Sequence, residues 1–143
     1  DWSSDVCSSD LLAGIRDFFL FLPHHFMNLL VKPLTGILGL VLTIVGVAGF
    51  FVTGGMLLFF EVDTLHNIIH LASGLIALFC YNSSQGLSRS FLIIFGLIYA
   101  VVAVVGFAMG GDILGLFHVN VADNYLHAGI AAACLLVGFG SGK

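Results

Sequence analysis

Histidine, carboxylate and amide side chains recur in two short stretches of an otherwise apolar chain. In the first stretch His66 and His70 are four residues apart, which places both rings on one face of a helix. The second stretch contains Asp123 and His127. Imidazole and carboxylate groups are common metal ligands, so the sequence predicts a metal site built from His66, His70, Asp123 and His127.

Two other interpretations of the same residues stay open. His70 and His127 are expected at equal depth in facing helices, where they could be the axial ligands of a haem. The histidines could instead relay or sense protons, because imidazole titrates near neutral pH. The chain has no haem-attachment motif and its cysteines lack metal spacing, so the sequence assigns no cofactor.

The plainest interpretation is that these polar groups cap helices and connect them. Asp63 and Asn120 each precede an apolar run and are good N-cap residues. Amide and imidazole groups one turn further along can hydrogen-bond between helices. The predicted cap and polar motif consists of Asp63, His66, Asn67, His70, Asn120, Asp123, Asn124 and His127.

The composition predicts that a membrane surrounds these residues. The chain of 143 residues is 59% hydrophobic and 8% charged, whereas a soluble domain carries about 25% charged residues. Apolar runs at about 33–60, 64–81, 90–109 and 124–139 are near the length that a bilayer-spanning helix needs. We expect an all-α membrane protein, a four-helix bundle in contact with the lipid bilayer. The chain has no basic patch, which argues against nucleic acid as a partner.

The charged residues outside the apolar runs predict the orientation. Basic residues occur near the two ends of the chain and in the middle loop, at Arg16, Lys32, Arg89 and Lys143. Acidic residues occupy the other two loops, at Glu61, Asp63, Asp112 and Asp123. Because basic residues mark the cytoplasmic side, we expect a multi-pass protein of the cytoplasmic (inner) membrane with both termini in the cytoplasm.

An offset of 57 residues aligns the chain with itself. Residues 60–70 then meet residues 117–127, with identical Phe60 and Phe117, Val62 and Val119, Asn67 and Asn124, and His70 and His127. The same offset aligns Gly39 with Gly96 and Gly49 with Gly106. This pattern predicts two tandem, parallel-related helical hairpins, in units of about 33–82 and 90–139.

The segment before the first run differs in composition. Residues 1–11 are rich in Ser and Asp and resemble a translated sequencing-adapter artefact, so they are excluded from the fold prediction. Residues 12–32 are expected to form an interfacial or linker segment. The four-helix transmembrane domain is expected over residues 33–140.

Two stretches resemble a known family. Residues 116–127, Leu-Phe-His-Val-Asn-Val-Ala-Asp-Asn-Tyr-Leu-His, resemble the signature loop and fourth helix of the bacterial membrane family catalogued as domain of unknown function 4383. Residues 66–75, His-Asn-Ile-Ile-His-Leu-Ala-Ser-Gly-Leu, are similar to that family's second helix. The resemblance implies a four-span protein of bacterial cytoplasmic membranes and implies no activity.

Three classes of function follow. The leading hypothesis is a non-enzymatic structural or interaction component of the cell envelope, with a second copy or another membrane protein as its partner. The chain has no recognisable nucleophile elbow or phosphate loop, which argues against an enzyme. The second hypothesis is a haem- or metal-binding redox membrane protein that uses His70 and His127. The third is a small transporter or channel, which would need an oligomer to enclose a pore.

Overall fold

Four helices and two short β-hairpins make up the part of the chain that is described. The computed structural model describes residues 3–52 and 55–142, with side chains from residue 24 onward. The helices are α1 (Ser3–Gly49), α2 (Thr64–Ser83), α3 (Gln85–Ala108) and α4 (Val121–Gly140). Antiparallel strands β1 (Met56–Leu57) and β2 (Phe60–Glu61) connect α1 to α2, and β3 (Asp112–Ile113) and β4 (Phe117–His118) connect α3 to α4. The predicted all-α, four-helix architecture is confirmed.

The helices are long and apolar enough to cross a bilayer. Within the described residues the candidate spans are His24–Gly49, Thr64–Ser83, Gln85–Ala108 and Val121–Gly140. Large apolar side chains such as Val101, Val104 and Leu136 are exposed on their outer faces. Water does not favour so much exposed apolar surface, whereas lipid does. The chain is a multi-pass membrane protein.

The first span lies closer to the N-terminus than the prediction of 33–60. Helix α1 ends at Gly49, where Phe50 and Phe51 donate hydrogen bonds three residues back, to Val47 and Ala48. Residues 56–61 form the first hairpin instead. Hydropathy missed this helix end because the helix and the hairpin are equally apolar.

The segment expected to be interfacial or a linker continues into the first span. Val31 is fully buried against the bundle, and α1 passes through residues 24–33 without a break. The side chains of residues 1–23, including the stretch 1–11, lie outside the described residues.

The bundle is built from two helix pairs, α1 with α2 and α3 with α4. Glycines allow the close approach within each pair. A Cβ added at Gly46 would lie 2.6 Å from the backbone nitrogen of Leu71, and one at Gly96 would lie 2.9 Å from the side chain of Leu135. Small residues at such crossings let helices pack closely in lipid, where the hydrophobic effect does not hold them together.

Charged residues gather at opposite ends of the bundle. At the basic end Lys32 Nζ donates to the carbonyl of Tyr81, and Arg89 Nε donates to the carbonyl of Gly138 at 2.9 Å. These bonds satisfy carbonyl groups in the last turns of α2 and α4. The other end, here called the acidic end, contains both hairpins and Glu61, Asp63, Asp112 and Asp123.

Candidate metal centre

Asp63 fixes the start of α2 at the acidic end. Its Oδ1 accepts the backbone N–H of His66 at 2.8 Å, as an N-cap residue does. Its Oδ2 accepts the N–H of His118 in the second hairpin at 3.4 Å. The capped first turn carries His66, and His70 follows one turn deeper.

A capping box fixes the start of α4. Asn120 accepts the N–H of Asp123, and Asp123 Oδ2 accepts the N–H of Asn120, both at 3.0 Å. The same carboxylate oxygen accepts the N–H of Glu61 at 3.0 Å, and Asn120 Nδ2 donates to the carbonyl of Phe59 at 2.7 Å. These bonds tie the first hairpin to α4 and hold the starts of α2 and α4 together.

Asn67 and Asn124 each pack against a glycine of the preceding helix. A Cβ added at Gly49 would collide with the side-chain oxygen of Asn67, and one at Gly106 with that of Asn124. In the native chain one hydrogen of each glycine points to where the added Cβ would lie, so each asparagine oxygen faces a glycine Cα–H group. Neither oxygen has a conventional hydrogen-bond partner among the described residues, and Cα–H···O contacts recur at helix–helix interfaces. The two contacts position the helix turns that precede His70 and His127.

Histidines from α2 and α4 meet inside the bundle. One ring nitrogen from each of His66, His70 and His127 lies within 4.8 Å of those of the other two. The ring centroids are 4.4 Å apart for His66 and His70, 6.0 Å for His66 and His127, and 6.5 Å for His70 and His127. We call these three residues the histidine cluster.

Aromatic rings and burial hold the cluster in place. The exposed fraction is 2% for His66 and 4% for His127, while His70 is partly buried. The ring of Phe117 stacks on His66 with a centroid distance of 5.3 Å, and the ring of Tyr99 meets His127 edge-on at 4.9 Å. The cluster is therefore shielded from water by side chains of the second hairpin and of α3.

The hydrogen bond of His66 sets its tautomer. Its Nδ1 lies 3.1 Å from the carbonyl oxygen of Glu61, and a carbonyl can only accept, so the Nδ1–H donates. The Nε2 atom is then left with a free lone pair. Metal-ligating histidines commonly donate their other N–H to a carbonyl in this way.

The remaining nitrogens of the cluster point to a ligand. His66 Nε2, His70 Nδ1 and His127 Nδ1 are buried and have no hydrogen-bond partner among the described residues. Leaving a buried polar atom unpaired costs about 1–3 kcal/mol. Three neighbouring rings that each leave such an atom unpaired favour a bound group as the missing partner.

A cavity of about 180 Å³ adjoins the cluster. Its lining includes the histidine cluster, Tyr99 and Asp123, and the remaining lining side chains are apolar. Tetrahedral zinc with Zn–N bonds of about 2.0–2.1 Å needs ligand nitrogens about 3.3 Å apart. The ring nitrogens of the cluster lie within 4.8 Å of one another, a spacing from which small ring rotations can reach that distance. The cavity is smaller than the roughly 300–1,000 Å³ of usual small-molecule sites, which favours a single ion, and the haem interpretation of His70 and His127 stays a prediction.

The structure brings together three of the four predicted metal ligands. Asp123 lines the same cavity, but it is not among the residues whose ligand atoms all approach one another within the described part of the chain. Its Oδ2 accepts the backbone N–H groups of Asn120 and Glu61. His24 instead lies against the carbonyl of Gly140 at the basic end, at 2.8 Å, and His118 is exposed.

Sequence reasoning missed Tyr99 and both hairpins. Tyr99 is buried, lines the cavity, and its hydroxyl has no partner among the described residues. A single tyrosine within the apolar run at 90–109 was the available signal, since buried tyrosines usually find a partner for the hydroxyl. The hairpins have strands of two residues, which are too short to show an alternating pattern.

The fold and the site together define a small multi-pass membrane protein with a buried histidine cluster. A family model described as "Domain of unknown function (DUF4383)" matches residues 32–140. The chain belongs to this family, and the resemblance predicted from residues 66–75 and 116–127 is confirmed. Comparison with curated proteins and with solved structures gives no match.

Proposed function

We propose that this chain is a metal-binding membrane protein whose histidine cluster holds a transition-metal ion near the acidic end. The observation that carries the proposal is the meeting of three imidazole rings beside one small cavity, each ring with a buried nitrogen that has no hydrogen-bond partner among the described residues. Imidazole suits zinc, copper, iron and nickel, whereas magnesium and calcium prefer oxygen ligands. The cluster therefore favours a transition metal.

The charges around the site restrict the ion further. Three neutral imidazoles leave the charge of the ion uncompensated, and the N-termini of α2 and α4 add partial positive charge. Asp123, which is 3% exposed and lines the cavity, supplies one negative charge. Burying an uncompensated charge is costly, so the balance favours Cu⁺, or Zn²⁺ with an anionic fourth ligand.

Three protein ligands leave one tetrahedral position open. Structural zinc sites are closed by four protein ligands, whereas sites that exchange a ligand keep a position free. The cavity beside the cluster gives a fourth ligand room to bind. We infer a site that binds an exchangeable ligand.

The orientation of the site follows from the charges. Lys32 and Arg89 lie at the basic end, and both hairpins lie at the acidic end. By the positive-inside rule we place both termini in the cytoplasm and the metal site toward the outer face of a bacterial inner membrane. The site would then load from outside the cell membrane.

The tandem-repeat interpretation is consistent with this site. At the offset of 57 residues, Gly49 with Asn67 corresponds to Gly106 with Asn124, and both pairs make the same contact. His70 corresponds to His127, so a duplicated hairpin would supply two ligands in equivalent places. His66 corresponds to Asp123, so the third ligand would come from one half and the compensating carboxylate from the other.

The alternatives have less support. A transporter needs a polar path through the bundle, but Thr35 and Thr43 of α1 both donate to carbonyls of their own helix. An interaction component of the envelope stays a prediction, and it is compatible with a metal site.

Cobalt titration tests the metal site. The full chain, purified in mild detergent with a histidine-free tag, should bind one Co²⁺ and show the intense visible bands of tetrahedral cobalt. His66→Ala, His70→Ala and His127→Ala should each weaken binding by at least about tenfold, since each removes a ligand. His118→Ala is the matched control and should bind as the parent does. Equal binding by all four variants would contradict the proposal.

A further inference from the structure

The mouth of the cavity lies between α1 and α4. Val41 and Val45 of α1 and Leu126 and Ile130 of α4 contribute to its lining. Val41 is 49% exposed and Leu126 is 45% exposed, so these two side chains form part of the outer surface of the bundle as well as of the cavity. The cavity therefore borders the surface at the seam between the two helices, as it also does at the exposed Leu58 of the first hairpin.

This mouth faces the hydrocarbon layer. Val41 precedes the end of α1 at Gly49 by eight residues, or about 12 Å along the helix axis. Leu126 follows the start of α4 at Val121 by five residues, or about 7.5 Å. Both positions lie inside spans, where lipid tails and not water contact the surface.

On the acidic end the first hairpin covers the cavity. Leu57, Leu58, Phe60 and Val62 all contribute to its lining and are apolar. Val62 is buried, Phe60 and Leu57 are half-buried, and the apolar Leu58 is 80% exposed. Water on the acidic end thus meets an apolar cover, while the seam between α1 and α4 joins the cavity to the lipid.

We propose that the exchangeable ligand of the histidine cluster is a lipid-soluble amphiphile that enters from the bilayer through the seam between α1 and α4. Its donor atom would bind the metal ion, and its apolar part would lie along Val41, Leu126 and Ile130. The chemical class is a small molecule with one nitrogen, oxygen or sulfur donor and an apolar chain or ring. This inference rests on the proposed metal site.

Two probes with the same donor atom test the inference. Imidazole and N-butylimidazole both coordinate through one ring nitrogen, but the butyl group favours an apolar phase by about fourfold per carbon, on the order of 100-fold in all. Each is titrated into the cobalt-loaded full chain in lipid nanodiscs, and the shift of the visible cobalt bands reports binding. We expect N-butylimidazole to half-saturate the site at a free aqueous concentration at least about tenfold below that of imidazole.

Substitutions at the seam test whether the butyl group binds there or whether the probe is simply concentrated in the bilayer. Leu126→Trp should fill the mouth and raise the half-saturating concentration of N-butylimidazole at least about tenfold, as should Val41→Trp on the facing helix. Leu136→Trp is the matched control: it changes an exposed leucine of the same helix that does not line the cavity, and it should leave the titration unchanged.

The outcomes distinguish the two proposals. Equal half-saturation by the two probes, or the same titration in Leu126→Trp, Val41→Trp and the parent, would overturn the binding of an apolar ligand at the seam while leaving the metal site intact. Absence of tetrahedral cobalt bands before any probe is added would overturn the metal site itself.

Discussion

Replacing Gly106 by alanine tests whether the glycine–asparagine contact positions the start of α4. The added Cβ would collide with the side-chain oxygen of Asn124 and would lie 2.7 Å from its amide carbon and 3.0 Å from its amide nitrogen. Asn124 is buried, so its amide must shift against packed neighbours. Overpacking of this kind costs about 1–3 kcal/mol.

The higher helix propensity of alanine opposes this loss of stability. Alanine is a better helix former than glycine by up to about 1 kcal/mol, so the net effect of Gly106→Ala alone is about 0–3 kcal/mol. Gly129→Ala is the matched control, because Gly129 lies within α4 and a Cβ added there has no neighbour within 4 Å. The propensity gain is common to both variants, and the difference in their free energies of unfolding should be about 1–3 kcal/mol.

Reversible unfolding in mixed micelles measures this difference. Each variant is titrated with sodium dodecyl sulfate in a mild detergent, and loss of helix is followed by circular dichroism. Gly106→Ala should also weaken cobalt binding, because Asn124 lies one turn before His127. If the two variants unfold within about 0.5 kcal/mol of each other, which is the usual error of additivity, the contact does not position α4.

Three further substitutions test the other bonds that position the helices, each by the same unfolding titration. Asp123→Ala removes the capping box and the bond to the first hairpin, so it should lower the free energy of unfolding by about 1–2 kcal/mol, and an unchanged value would contradict the capping role. Ser84→Ala removes the oxygen that accepts the N–H of Leu87 at the start of α3, so it should lower the free energy of unfolding by about 1 kcal/mol. Ser90→Ala, at an exposed position of the same helix, should leave the free energy of unfolding nearly unchanged, and equal effects of the two substitutions would contradict the capping role of Ser84. Arg89→Leu removes the hydrogen bond to the last turn of α4 and should lower the free energy of unfolding by about 1.5–3 kcal/mol. An effect no larger than that of Ser90→Ala would show that water replaces this hydrogen bond.

Hydropathy predicted the helices but not all of their ends. Charged or polar residues interrupt the chain near Thr64, Ser83 and Ala108, and the ends of α2 and α3 were predicted within a few residues. No charged residue separates the end of α1 from the first hairpin, and the weaker break signal of Thr53, Gly54 and Gly55 was not used, so the prediction ran on to residue 60. A helix end inside an apolar run depends on tertiary contacts that periodicity does not encode.

The helix spacing anticipated only part of the site. Equal depth of His70 and His127 in the two halves predicted that they would approach each other. The spacing of four residues also predicted that His66 shares a helix face with His70, but the hydrogen bond that orients its ring, to the carbonyl of Glu61 in the first hairpin, cannot be derived from spacing. Asp123 has the residue type of a ligand, but its Oδ2 accepts two backbone N–H groups in the folded chain, and the sequence does not show this competition.

X-ray absorption at the zinc edge tests the central claim most directly. The full chain is loaded with one equivalent of Zn²⁺ in mild detergent, and the first coordination shell is measured. We predict three imidazole nitrogens at about 2.0–2.1 Å plus one further light atom, and loss of this spectrum in His66→Ala. A shell of six oxygen or nitrogen atoms, or an imidazole spectrum that persists in His66→Ala, would contradict a metal site at the histidine cluster.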